Sequence, residues 1–166
     1  MLFRSPSPAG LRQLQLAHLM AVPFENLDIH LGRAIVLDQA AFFEKVVRRR
    51  RGGFCYELNG LFAVLLRALG FGVTLLSARV AREDDSFSPE FCHLTLLVDL
   101  PGGGPRRLAD VGFGDCFREP LSLAEPGDQV ASAFDDGRAY RLAHEDRKST
   151  RLNSSHIQKS RMPSSA

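Results

Sequence analysis

Cysteine is scarce in this chain: three residues, Cys55, Cys92 and Cys116, occur among 166 positions, with no CxxC pair. Three thiols make no disulfide framework and leave at least one free, so the chain is expected in a reducing compartment, the cytoplasm. Long apolar runs are missing too. Nowhere do about 18 apolar residues follow one another, and the opening MLFRSPSPAG lacks the apolar core of a signal peptide. Secretion and membrane insertion are therefore not expected. Charge of one sign is not in excess: the formal net charge is +2, too small to make nucleic acid or a membrane the main partner. No internal repeat is visible. What remains is ordinary globular composition, 45% hydrophobic and 24% charged, enough to bury a core in one domain or two small ones packed together.

The stretch RRGGFCYELNGLF, residues 50–62, stands out. Gly52 and Gly53 allow a tight backbone turn, and the spacing of Leu58, Leu61, Phe62, Leu65, Leu66 and Leu69 predicts a helix starting at or near Cys55 and ending at Gly70. A thiol at a helix start sits among unpaired N–H groups at the positive end of the dipole, which favours thiolate. A lone cysteine in such a place is more often a buried structural thiol, so the functional reading depends on partners.

Upstream, Leu11, Leu14, Leu16, Leu19 and Met20 predict a short amphipathic helix ending before Pro23. The segment VPFENLDIHLGR reads as irregular, anchored by Phe24, Leu27 and Ile29, and Ile35 to Leu37 as a brief strand. Asp38 then caps a helix from Gln39 to about Arg49. The basic run Arg48 to Arg51 reads as a solvated helix end rather than an anion site.

After Gly70 the period changes. Val73 to Val80 reads as a strand, and FCHLTLLVDL as another, with Cys92, Leu94, Leu96, Val98 and Leu100 on one apolar face and Phe91, His93, Thr95, Leu97 and Asp99 on the other. PGGGP, residues 101–105, is a hairpin turn before a third strand at Arg106 to Val111; a phosphate cradle is the weaker reading, because no helix follows. Register decides whether His93 meets Asp110. An even-length loop puts both on one face: Leu100 opposite Gly103 makes them directly opposed, and Leu100 opposite Pro105 makes them diagonal neighbours. An odd loop without a bulge would separate them. EPLSL is a further short strand, strand character is weak around Phe134 and Tyr140, and residues 145–166 read as a disordered tail or as a non-native one of cloning origin.

A cysteine at a helix start, a histidine on an open strand face and an aspartate on the next strand form a nucleophile, base and orienter. Cys55, His93 and Asp110 would hold those roles. His18 (helix), His30 (loop), His144 and His156 (near or in the tail) are poorer bases. Cys92 is expected in core or pocket lining, and Cys116 as a plain thiol.

VPFENLD, RRRGGFCYELNGLF, CHLTLLV and ADVGFGD, in this order between residues 22 and 115, closely resemble the arylamine N-acetyltransferase family. The resemblance implies an α+β fold with a cysteine-protease-like core: a helical region over residues 1–70 carrying the nucleophile, then an antiparallel, β-barrel-like region over 71–144 carrying His and Asp. It implies two-step acetyl transfer through a Cys55 thioester, with acetyl-CoA as donor substrate rather than bound cofactor, an aromatic amine or hydrazine as acceptor, and no metal. Phe24, Phe91, Cys92 and Phe113 would bind the acceptor, and Arg51 would pair with Glu25 to order the loop beside Gly52 and Gly53. Family members usually continue into a third, α/β lid domain, and this sequence stops or turns into unrelated tail where that domain should develop. The other readings are a thiol hydrolase using the same three residues and an inactive fragment or binding module.

Overall fold

Helices occupy the first part of the chain and strands the rest, in a computed structural model that describes residues 6–84, 86–115, 117–124, 127–130, 139–143 and 156–160. Helix α1 spans Pro8–Ala21; Ser7 Oγ accepts from the Gly10 N–H at 3.1 Å, and the helix ends at Val22, next to Pro23. Its inward face carries Leu11 and, one turn on, the buried polar Gln15. Helix α2, Leu27–His30, replaces the expected irregular segment. The expected anchors there are also corrected. Phe24, Leu27 and Ile29 are half exposed, while Asp28 is buried and Glu25 turns toward Arg51. Four residues of helix cannot bury both faces, and the charged face has the partners.

Asp38 caps α3, Gln39–Phe42, as expected, accepting from the Ala41 N–H at 2.7 Å. The helix does not continue in α geometry. Phe43–Arg48 form a π-helix, closed by the Arg49 N–H on the Glu44 carbonyl five residues back. Ile35 to Leu37, expected as a strand, pair with no strand among the described residues. Helix α4, Cys55–Ala68, begins at the predicted cysteine, and Gly70 follows with φ 92°, a left-handed stop.

Strands β1 (Gly72–Ala78), β2 (His93–Asp99), β3 (Arg107–Ala109) and β4 (Leu121–Ser122) form an antiparallel sheet in that order. Strands β5 (Gly127–Val130), β6 (Ala139–Ala143) and β7 (His156–Ser160) form a second. Neither sheet closes into the expected barrel. The first has β1 and β4 as its edges, and a two-residue β4 is too short to carry closure. Within the expected unpacked tail, residues 156–160 are paired with β6 instead, since a strand edge can take an extended partner through main-chain bonds alone. Tail residues 145–155 and 161–166, together with Phe134, His144 and Cys116, lie outside the described residues.

The core lies between α4 and the sheet. Leu58, Phe62 and Leu66 of α4 pack with Leu96, Val98, Ala109 and Val111, joined by Leu11 and Val46. Strand β2 is also buried on its other face, over Leu108, Phe117, Leu121 and Tyr140, the last edge-on to Phe117 at 5.7 Å between centroids. His93 and Thr95 therefore sit in a buried layer and not on an open face. Cys92 precedes β2 and is exposed, not core.

Candidate active site

The hairpin between β2 and β3 fixes the relation of His93 to Asp110. Leu96 pairs with Ala109, Leu97 with Leu108 and Val98 with Arg107. This register matches a closing pair of Leu100 and Pro105, the even-loop case that places Asp110 diagonally beside His93. The His93 Nε2 to Asp110 Oδ2 distance is 2.5 Å, in a site where both residues are buried.

Cys55 reaches the same point from the helical side. It is the first residue of α4 and 7% exposed, with Sγ 4.0 Å from the Cys92 carbonyl oxygen. Nε2 of His93 is committed to Asp110, so Nδ1 is the ring nitrogen left for the Cys55 sulfur. Burial acts to lower the His93 pKa, and the hydrogen bonds to Asp110 and then to Cys55, with the charges of both, outweigh it and raise the pKa to about 9. A ring of raised pKa favours taking the Cys55 proton through Nδ1, which leaves imidazolium beside thiolate.

The sign of the pH effect follows. With a folded pKa raised above the ordinary 6.5, His93 contributes stability that is complete below pH 6.5 and lost as pH rises through 9. In urea unfolding, the stability advantage of wild type over His93→Gln should narrow across this window, by about 3 kcal/mol. An advantage that is flat between pH 6 and 9 would contradict the buried imidazolium.

Close approach, rather than turn conformation, explains the glycines before Cys55. Neither Gly52 nor Gly53 has positive φ; the left-handed residue is Arg50, at φ 52°. A Cβ on Gly52 would lie 2.0 Å from the Pro23 carbonyl oxygen, and one on Gly53 2.8 Å from Glu57 Oε2. The strap they form bonds to the VPFEN segment through Glu25 N–H to Gly53 O at 2.9 Å. The expected Arg51–Glu25 pair is present at 2.6 Å, and Arg51 also reaches Asp28 at 2.9 Å. Asp28 is held well below the usual carboxylate range by its bonds to Lys45 and Arg51.

Three residues that the sequence reading did not single out hold the acid in place. Asn59, fully buried one turn after Cys55, donates to Asp110 Oδ1 at 2.9 Å and to the Leu94 carbonyl at 2.7 Å, and accepts from the Val111 N–H at 2.9 Å. Gly112 N–H donates to Asp110 Oδ1 at 2.9 Å, and a Cβ there would lie 2.7 Å from the Cys55 Cα. Gln15 accepts from the Asp110 N–H at 3.3 Å. The signal for Asn59 was its spacing: four residues after a helix-start cysteine, it shares that face.

A cavity of about 250 Å³ opens beside His93 and Asp110, lined by Leu76, Val80, Leu108, Phe113 and Tyr140 among others. Phe113 meets His93 edge-on at 5.0 Å between centroids. The other expected acceptor residues do not line this cavity. Phe24 pairs with Gly53 in an isolated bridge. Phe91, 67% exposed at φ 65°, instead offers its carbonyl to the Tyr56 hydroxyl. Among the described residues no group of three or more His, Cys, Asp or Glu is placed to hold a metal ion, and no helix is long and apolar enough to cross a membrane.

Comparisons with known proteins place the chain in a family. The N-acetyltransferase family model matches residues 9–162. The arylamine N-acetyltransferase / N-hydroxyarylamine O-acetyltransferase of Salmonella typhimurium is 44% identical over 141 residues, which is 84% of this chain and 48% of that protein. The arylamine N-acetyltransferase of Mycolicibacterium smegmatis is 45% identical over 71% of this chain and 44% of its own. The chain thus spans about half the length of these curated relatives. Among solved structures, the Salmonella typhimurium arylamine N-acetyltransferase superposes with a TM-score of 0.79 at 38% identity, covering 96% of this chain and 58% of that one. The Mycobacterium marinum enzyme in complex with CoA gives 0.77 at 38% identity, covering 88% and 54%. By motif, by fold and by the extent of the family match, the chain belongs to the arylamine N-acetyltransferase family.

Proposed function

We propose that this chain carries the acetyl-accepting half of an acetyl-CoA-dependent arylamine N-acetyltransferase, with Cys55 as nucleophile, His93 as base and Asp110 as orienter. The observation that supports the reading is the relay itself: a helix-start thiol, an imidazole with a raised pKa and a locked carboxylate come together, and the imidazole and carboxylate border a largely apolar cavity. The arrangement is cysteine-protease-like in its logic, with the nucleophile on a helix of the 1–70 region and the His and Asp on strands of the 71–144 region. Free thiols at Cys55 and Cys92 suit a reducing cytoplasm.

In the first step the Cys55 thiolate attacks the acetyl carbonyl of acetyl-CoA. A bond forms from Cys55 sulfur to the carbonyl carbon, the bond to the CoA sulfur breaks, and the departing thiolate takes the His93 proton. The open first turn of α4 presents main-chain N–H groups to the tetrahedral oxyanion. In the second step the nitrogen of an aromatic amine or hydrazine attacks the thioester. His93 recovers a proton from that nitrogen, and the Cys55 thiolate leaves. The cavity beside His93, with Phe113 on its wall, suits a flat aromatic acceptor.

The test is acceptor dependence. With acetyl-CoA and a panel of anilines and aryl hydrazines, N-acetylated product should form by ping-pong kinetics, and CoA release should rise with amine concentration. Fast CoA release that no amine stimulates would identify a thiol hydrolase instead.

A further inference from the structure

Behind the first turn of α4 lies a charge network that the acetyl-transfer steps do not use. Three cations, Lys45, Arg33 and Arg51, meet three carboxylates, Glu25, Asp28 and Glu57. Lys45 joins all three acids. Its Nζ lies 2.8 and 2.9 Å from the two Glu57 oxygens, 2.9 Å from Asp28 Oδ2 and 3.5 Å from Glu25 Oε1. The Lys45 side chain is 12% exposed and that of Glu57 6%. Both charges are therefore far from the screening of a surface pair, and each depends on the other.

The network is tied to the nucleophile by the main chain. Glu57 Oε2 also accepts from the N–H of Phe54, the residue before Cys55, at 3.1 Å. The strap at Gly53 passes so close to that oxygen that a Cβ there would lie 2.8 Å from it and displace the Glu57 carboxylate. On the other side, the Lys45 carbonyl accepts from the Arg51 N–H at 3.1 Å. The π-helical turn thus presents one residue that holds the start of the strap with its backbone and the end of the strap, through Glu57, with its ammonium. Glu57 also stands in the same helical turn as Cys55. Its negative charge opposes a second negative charge on the Cys55 sulfur unless a cation cancels it.

We propose that Lys45 is a positioning residue for the Cys55 nucleophile, clamping the Gly53–Cys55 strap through Glu57 and cancelling the Glu57 charge that would oppose the thiolate. The proposal rests on Cys55 as the nucleophile. Around Cys55 the other titratable groups are His93 and Asp110 on the sheet side, Tyr56 on its own helix and Cys92 before β2. Around Lys45 they are Glu25, Asp28, Arg33 and Arg51. None of these changes in the variants that test the idea.

The measurement is the pH dependence of Cys55 alkylation by iodoacetamide in the full 166-residue chain, read by peptide mass spectrometry so that Cys92 and Cys116 are scored separately. Lys45→Met should move the Cys55 midpoint alkaline by about one pH unit, and Glu57→Gln should move it the other way. The double variant, with equal numbers of cations and acids again, should return to the wild-type midpoint. Glu57→Gln keeps an acceptor for the Phe54 N–H, and Lys45→Arg keeps the cation and should leave the midpoint in place, so the set reads out even if Lys45→Met fails to fold. Variants that only lower the urea midpoint, with no opposed shifts in alkylation, overturn the proposal. A wild-type Cys55 profile identical with that of exposed Cys92 removes the nucleophile reading itself and the proposal with it.

Discussion

Asp110→Asn is expected to slow acetyl uptake from acetyl-CoA by about 10³–10⁴-fold while leaving the chain folded. The carboxylate divides its work between its two oxygens: Oδ1 accepts from Asn59 and Gly112, and Oδ2 faces His93. An asparagine can keep its oxygen on the Asn59 and Gly112 side. Its amide N–H then points at His93 Nε2, which must accept, so the ring proton moves to Nδ1. That is the nitrogen on the Cys55 side, and it would present a proton where a lone pair is needed. The loss is one of tautomer, not of packing. Rapid-quench measurement of acetyl-Cys55 formation gives the rate, and urea unfolding gives the control. A variant that acetylates within tenfold of wild type would remove Asp110 from the relay.

Asn59→Leu should produce the largest loss of stability of any single side-chain replacement near the site, about 3–4 kcal/mol. The leucine fills the space but leaves the Leu94 carbonyl, the Val111 N–H and one Asp110 contact without the partner they have now. All of these groups are buried, and the desolvation of an unpaired polar group is not recovered by a methyl contact. Against a total stability of about 5–15 kcal/mol for a domain, that is a large fraction. The urea midpoint reports it. A cost below about 1 kcal/mol would mean that the bridge from α4 to the sheet is not what holds the carboxylate.

The positions of Cys55, His93 and Asp110 are legible in the sequence because local rules govern them. Cys55 is marked by the start of a helical period, and the His93–Asp110 relation by the parity of a hairpin loop, which the Leu97–Leu108 pairing matches. Motif order supplied the family. What local rules govern poorly was read poorly. The strap glycines read as turn residues, whereas the close approaches there are of the Pro23 carbonyl to Gly52 and of the Glu57 carboxylate to Gly53. Hydrophobicity alone makes Phe24, Leu27 and Ile29 read as anchors, while the structure anchors the segment through Glu25, whose Arg51 partner the resemblance implies, and through Asp28, which no sequence signal marks and which Lys45 and Arg51 hold. The π-helix at Phe43–Arg48 has no compositional mark, and its consequence, an inward-facing Lys45, was invisible. Sheet closure was inferred from the family resemblance, and a two-residue β4 does not provide it.

The central claim is that Cys55 carries the acetyl group. Intact-protein mass spectrometry after mixing the chain with acetyl-CoA tests it most directly. The predicted result is a gain of about 42 Da, one acetyl group on one thiol. It should localise to Cys55, be absent from Cys55→Ala and disappear when an arylamine is added. An adduct on Cys92 or Cys116, an adduct that persists in Cys55→Ala, or no adduct at all would contradict the account.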